Sequence, residues 1–261
     1  MSLIFPFRQY LFLLPFALAS TGDAAQADAL HAAVRTGDIA SVDAALRDTE
    51  NVDQTDFRIG SPLHVAVVEQ RPAIVLRLLE SGAMINGASE IDGKTALHIA
   101  AELGDHDMVM LLLANGADLR ARSQSGQTAS HLATRAGHAA VVAALLDAGA
   151  VVDSREPAKN MTPLLIASLQ GDVDLVKLLV EAGADIEAVS ANGRTPFFYS
   201  TTTESFRNVG SDELIRFFVD RGVETSPRDL SGLTPLDWAK SRNVTAYKEI
   251  VEILSDLGVQ D

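Results

Sequence analysis

The chain contains no cysteine in 261 residues. That absence excludes disulfides, zinc–thiolate sites, thiol nucleophiles and lipidation of an N-terminal cysteine. Basic side chains are scarce: 21 Lys and Arg stand against 35 Asp and Glu, a formal charge of −14. A surface so poor in cations argues against nucleic acid, because phosphate neutralisation needs a Lys/Arg surplus, and against docking on anionic lipid. The excess charge is read as a solvated surface or as a field that steers a basic partner. Aromatics make up 5% and cluster at the two ends, in residues 5–16 and from Phe197 onward, with Phe57 alone between them. Long apolar runs are also missing. Tyr10–Ala19 spans about ten residues and holds Pro15, about half of what a hydrocarbon core requires. No nucleophile elbow, phosphate loop, HExxH or EF-hand loop occurs, so no enzyme class is indicated and neither a cofactor nor a metal is expected.

What is present is a short address followed by a folded body, since 47% hydrophobic and 21% charged residues are ordinary for a globular chain. Residues 1–27 carry Arg8, then the apolar stretch, then small residues in Ala17-Leu18-Ala19 and Ala25-Gln26-Ala27. This is the pattern of a secretory signal, with cleavage after residue 19, 25 or 27. The expected destination is the bacterial periplasm or the medium, with no membrane contact after cleavage. An uncleaved anchor is the alternative.

The body is self-similar. DALHAA at 28–33 recurs as SPLHVA at 61–66, TALHIA at 95–100, TASHLA at 128–133, TPLLIA at 162–167, TPFFYS at 195–200 and TPLDWA at 234–239. The third positions are spaced by 33, 34, 33, 34, 33 and 39 residues. Gly82, Gly116, Gly149 and Gly183 each follow 19 residues after that position, at the end of a Leu/Val-rich run. Within each copy Thr or Ser opens a first helix as its N-cap, and Pro is tolerated in the first turn. Gly37, Gly104, Gly137 and Gly171 close it in a left-handed conformation. The apolar run is a second helix, and dipeptides such as Asp92-Gly93 and Asn192-Gly193 carry turn chemistry.

This pattern resembles the ankyrin repeat over residues 28–261. The resemblance implies an all-α solenoid of stacked helix–turn–helix units with projecting β-turn or hairpin fingers. The copies run 28–60, 61–94, 95–127, 128–161, 162–194, 195–233 and 234–261. One copy cannot bury its own flanks, so stability depends on neighbours.

The copies are not identical. The first looks like an N-terminal cap, with Thr49 in place of Gly. In the second, Gln70-Arg71-Pro72 replaces the inter-helix Gly, and Asn160 replaces Gly in the fifth turn. The sixth has six extra residues within its helix pair, around 201–211, and the seventh has three.

The resemblance gives His31, His64, His98 and His131, all in one slot, a structural role: bonding the Thr/Ser hydroxyl and turn backbone. It also places partner recognition on finger tips and the concave face of the first helices. The candidate contacts are Glu90, Asp92, Lys94, Gln124, Gln127, Lys159, Met161, Asn192 and Arg194, which vary between copies. The cations Lys94, Lys159 and Arg194 are expected to be replaceable without harm to the fold. Phe197, Tyr199, Phe217, Phe218 and Trp238 are assigned to the core. Phe198 and Phe206 are added as contacts because aromatics concentrate at binding hot spots. The function implied is a non-enzymatic, exported protein–protein scaffold. An effector acting on host proteins, or a protective or inhibitory partner of a periplasmic enzyme or toxin, are the alternatives.

Overall fold

The computed structural model describes residues 22–56, 60–202, 212–241 and 245–259. Fourteen helices occur among them: α1 (Gly22–Thr36), α2 (Ile39–Asp48), α3 (Pro62–Val68), α4 (Pro72–Glu80), α5 (Ala96–Leu103), α6 (His106–Ala114), α7 (Ala129–Ala136), α8 (Ala139–Asp147), α9 (Pro163–Gln170), α10 (Val173–Glu181), α11 (Pro196–Thr201), α12 (Asp212–Asp220), α13 (Pro235–Ser241) and α14 (Thr245–Asp256). They follow one another as pairs. First helices pack on the first helices of adjacent pairs, from α1·α3 through α11·α13, and second helices do likewise in α2·α4, α6·α8 and α8·α10. Extended pairing among the described residues is limited to one bridge, Asp56 to Gly60.

Local chemistry sets each boundary. Thr95, Thr128 and Ser61 take extended backbone and form capping boxes with the histidine three residues on, which satisfies two orphan helix groups at once. Pro62, Pro163 and Pro196 occupy first-turn positions. Asp38, Asp105 and Asp172 cap the second helices by accepting from the Ser41, Met108 and Leu175 N–H groups. The left-handed stops at Gly104, Gly137 and Gly171 lie at φ 75°, 81° and 70°. Gln70 fills the same slot in the second pair at φ 53°, a conformation that disfavours a side chain.

The core runs along the seam between first and second helices. Leu30, Leu63, Leu97, Leu164, Phe197 and Leu236 line it from one side, and Val75, Leu78, Leu112, Leu145, Leu179 and Phe218 from the other. Phe218 packs edge-on against both Phe197 and Phe217, at centroid distances of 6.5 and 5.5 Å.

Three boundaries refine the sequence reading. Helix α1 starts at Gly22, six residues before the position where the first copy is expected to begin. Helix α11 has only six residues, so the extra length of the sixth copy lies between α11 and α12. Phe206 falls there, outside the described residues. The three extra residues of the seventh copy lengthen α14 to twelve residues, against nine in α4, α6, α8, α10 and α12.

Candidate functional site

The fingers join each second helix to the next first helix. Each closes as a turn: the Ser89, Ser123, Ser190 and Asp229 N–H groups donate to the carbonyls of Lys94, Gln127, Arg194 and Leu233. Fingers also bond to one another. The Gln124 N–H donates to the Asp92 carbonyl, Ala191 to Lys159, and Leu230 to Asn192. Gly93 and Gly193 permit this approach, because a Cβ at either would lie within 3.0 Å of the next finger's backbone nitrogen.

Histidines hold the first four fingers against their helices. In His64, His98 and His131 the Nδ1 atom accepts from the backbone N–H of Ser61, Thr95 and Thr128, at 3.1 to 3.2 Å. A nitrogen that accepts from N–H carries no proton, so Nε2–H is the tautomer present. It donates to the carbonyls of Lys94, Gln127 and Met161, at 3.0, 2.9 and 3.2 Å. His31 Nε2 is 3.0 Å from the Gly60 carbonyl. Burial pushes the imidazoles of His64, His98 and His131 below their ordinary value, against the raising effect of these carbonyls. The nearby charges are Asp92 and Asp53 for His64, Lys94 and Asp92 for His98, and Glu156, Arg122 and Arg135 for His131.

The slot changes chemistry further along. Leu165 and Phe198 fill it in the fifth and sixth pairs, with only the Thr162 and Thr195 hydroxyls left as caps. In the seventh, Asp237 accepts from the Thr234 N–H while its own N–H donates to the Thr234 hydroxyl. The Thr234 N–H and hydroxyl, bonding the Asp237 carboxyl, lower it.

The proposed contact residues separate into groups. Glu90, Gln124, Lys159 and Asn192 are exposed, and Asp92 is half-buried. Lys94 reaches Glu102 at 2.7 Å and Asp92 at 3.2 Å; burial depresses the ammonium, but the two carboxylates outweigh it and raise it overall. Gln127 donates to Glu156 at 2.8 Å. Two assignments are corrected outright. Met161 lies buried in a small cluster with Leu165, Ile166, Ala188 and Tyr199, because the fifth slot holds leucine and draws apolar neighbours around it. Phe198 is 0% exposed, and Arg194 lies over its ring at 4.8 Å.

Arg194 is also not a free tip cation. It lies 5.6 Å from the centre of the Trp238 ring and donates through Nε and one terminal nitrogen to Asp229, at 3.1 and 3.0 Å. Asp229 is 6% exposed and also accepts from the Ser231 and Leu233 N–H groups. Four acceptor bonds satisfy a buried carboxylate, so this arginine fastens the sixth finger rather than awaiting a partner. Lys94 and Arg194 are thus both engaged within the fold, whereas Lys159 is exposed.

Two ladders escaped the sequence reading. In the first, Arg122 Nη1 donates to its own finger at Gly126 and to the next at Arg155, at 2.7 and 2.9 Å. Arg155 Nη1 does the same to Asn160 and Val189, at 3.3 and 2.8 Å, and Arg228 Nη1 reaches Gly232 at 2.7 Å. In the second, Asp53, Asn86, Asp153 and Glu187 accept from the backbone N–H groups of Met84, Asp118, Asp185 and Glu224 in the following copy. Their common signal was register: each stands four residues after the helix-ending Gly or its equivalent. Among the described residues no group of three or more His, Asp or Glu is placed to hold a metal ion. No helix among them is long and apolar enough to cross a membrane.

Comparison with known proteins gives the same architecture. A family model described as ankyrin repeats (3 copies) matches residues 84–156 and 164–261, and one described as ankyrin repeats (many copies) matches 136–180. The B-cell lymphoma 3 protein homolog of Mus musculus is 29% identical over 223 residues, which is 82% of this chain and 48% of that protein. Ankyrin repeat and SOCS box protein 11 of Homo sapiens is 34% identical over 97 residues, 37% of this chain and 29% of that one. Among solved structures, the ankyrin repeat domain of Bcl-3, described as a unique member of the IkappaB protein family, superposes with a TM-score of 0.73 at 26% identity, covering 87% of this chain and 97% of that domain. The chain spans about half or less of the length of these curated relatives.

Proposed function

The chain belongs to the ankyrin-repeat family, and from that premise we propose that it is a non-enzymatic protein-binding scaffold, exported by its N-terminal signal to the periplasm or medium. The family's repeats suggest a protein-interaction module. The observation that carries the reading here is the division of labour within the fingers. Backbone bonds, the histidine slot and the two ladders use residues that recur in register, whereas Glu90, Gln124, Lys159 and Asn192 vary and are exposed. A fixed frame with variable exposed tips is what recognition by surface complementarity requires. Export is supported by the composition of residues 1–19. A cut after Ala19 would leave α1 whole, whereas a cut after 25 or 27 would fall inside it.

Crosslinking capture from the compartment in which the protein is found tests the scaffold. Replacing Glu90, Gln124, Lys159 and Asn192 together by serine should leave unfolding within about 0.5 kcal/mol per site, as for surface positions without special roles, and should abolish capture of the partner taken by the unaltered protein. Capture unchanged by all four substitutions would move the site off these tips. Protein retained in the cytoplasm with an intact N-terminus would end the export claim.

A further inference from the structure

The charge of the molecule is unevenly placed. Finger segments 121–127, 154–161, 188–194 and 227–233 contain five cations, Arg122, Arg155, Lys159, Arg194 and Arg228, and two acids, Glu156 and Asp229. Both acids are buried and spoken for: Glu156 by Arg135 and Gln127, Asp229 by Arg194. What these four segments show to solvent is therefore cationic, although Asp118, Asp153, Asp185, Glu187 and Glu224 stand earlier in the same fingers and the chain totals −14.

The arrangement is ordered. The Arg122 and Arg155 bonds to Arg155 and Val189 put Arg122, Arg155 and Val189 in one row across successive fingers, and Arg228 holds the equivalent place in the next. Val189 is 44% exposed. The neighbouring position in each finger reads Gln124, Pro157, Ala191 and Leu230, all exposed, with Leu230 at 81%. The carbonyl bonds of the three arginines use one nitrogen of each guanidinium; Arg228 also has Asp237 at 3.8 Å. A guanidinium has five N–H donors, so each keeps donors in hand. It is also anchored at one end, which lowers the ordering cost of binding.

The geometry points to this finger edge as the docking surface for an extended, acidic segment of a protein partner, with carboxylates on Arg122, Arg155, Lys159 and Arg228 and an apolar side chain on Val189 or Leu230. The inference rests on the scaffold reading and names its partner chemistry. It reverses the expectation, taken from net charge alone, of a basic partner. A short acidic peptide meets only the cationic row. A long polyanion or an anionic membrane would also meet the acidic remainder of the chain, which repels it.

The test is a fluorescence titration of the whole protein with a labelled peptide of alternating Glu and Ala interrupted by Leu. The Lys-for-Glu peptide, a single-stranded oligonucleotide and phosphatidylglycerol vesicles serve as rivals. Saturable binding of the acidic peptide, weakened by salt, is expected. Arg122→Gln, Arg155→Gln and Arg228→Gln combined should weaken it by about tenfold or more. The corresponding lysine triple keeps the charge and should retain most of it. Lys159→Glu and Leu230→Ser each weaken binding without touching the arginine ladder, which separates recognition from folding. No binding of the acidic peptide, equal binding by the glutamine triple, or preference for the lysine peptide, oligonucleotide or vesicles would overturn the inference. If the partner captured by crosslinking is held equally by wild type and glutamine triple, the scaffold stands and this surface falls. If nothing is captured, the scaffold reading itself fails.

Discussion

The first four helix pairs and the last three solve one problem with different chemistry. A finger must be held against the first helix, and the helix must be capped. In the second to fourth pairs a single buried imidazole does both, accepting from the cap N–H and donating to the finger carbonyl; in the first, His31 lies inside α1 and meets the Gly60 carbonyl. Toward the C-terminus the tasks are split. Threonine hydroxyls or Asp237 cap, an apolar cluster fills the vacated slot at Leu165, and Arg194 with Asp229 ties down the sixth finger over Phe198 and Trp238. Part of the aromatic richness of this end follows from that division, because Phe198 replaces the imidazole in the sixth pair and, with Trp238, gives Arg194 a face to lie on. The slot therefore constrains shape and capping more tightly than it constrains residue type.

The largest test of this contrast is Arg194→Ala. It strands the Asp229 carboxylate at 6% exposure and uncovers two rings, so the C-terminal pairs should lose about 3 kcal/mol, the scale for removing one partner of a buried pair. Urea unfolding followed by Trp238 fluorescence measures it. Loss within the range of an ordinary surface change would show that Asp229 is held by its backbone donors alone.

The histidines supply the next test, at the other end of the array. Burial holds His64, His98 and His131 below the ordinary 6.5. The unfolded chain therefore binds protons first as pH falls below about 6.5, and stability present above that value is lost toward the folded-state values. Between there and the ordinary carboxylate value of 3.8, the loss should concentrate in residues 30–160. Hydrogen exchange should show α3, α5 and α7 opening before α9 and α11 at about pH 5, but not at about pH 7.5. Opening in the reverse order would break the contrast.

The sequence made most of the fold legible because each copy repeats the same caps and stops, and a signal seen in several registers is hard to misread. Helix order and the places of the extra residues could be taken from spacing, and the roles of the histidines from the resemblance to ankyrin repeats. The finger surface was less legible. Exposure of a tip residue depends on what the next finger carries: Arg194 is occupied only because residue 229 is an aspartate and residues 198 and 238 are rings. Those partners lie 4 to 44 residues away and belong to different copies, so comparing equivalent positions does not pair them. Met161 was misplaced for the same reason, since its burial follows from leucine at position 165.

A smaller effect separates a strained copy from its neighbours. Gln70 takes the left-handed stop that Gly104, Gly137 and Gly171 fill elsewhere, with the same closing bond, here from the Arg71 N–H to the Ala66 carbonyl at 2.9 Å. Gln70→Gly keeps the bond and removes the side-chain penalty, which should raise N-terminal stability by about 1 kcal/mol. The gain should be read in thermal unfolding at neutral pH, where the histidines are silent. No gain would mean that the Gln70 side chain makes contacts worth as much as the strain.

The acceptor ladder offers the finest discrimination, because it has a gap. Asp53, Asn86, Asp153 and Glu187 each receive a backbone N–H from the next copy. The equivalent position in the third copy is Arg120, whose guanidinium has only donors, facing the register of Val151. Arg120→Asn gives that position the acceptor that Asn86 uses at 2.8 Å toward Asp118. One added, partly exposed hydrogen bond is worth about 0.5 to 1 kcal/mol, and neighbours in a repeat array share such interface gains. Exchange protection should therefore rise in α6 and α8 together, on both sides of the mended joint. Arg120→Ala, which removes the charge without adding an acceptor, is the control: an equal gain from alanine would trace the effect to relief of the guanidinium and leave the ladder without energetic weight.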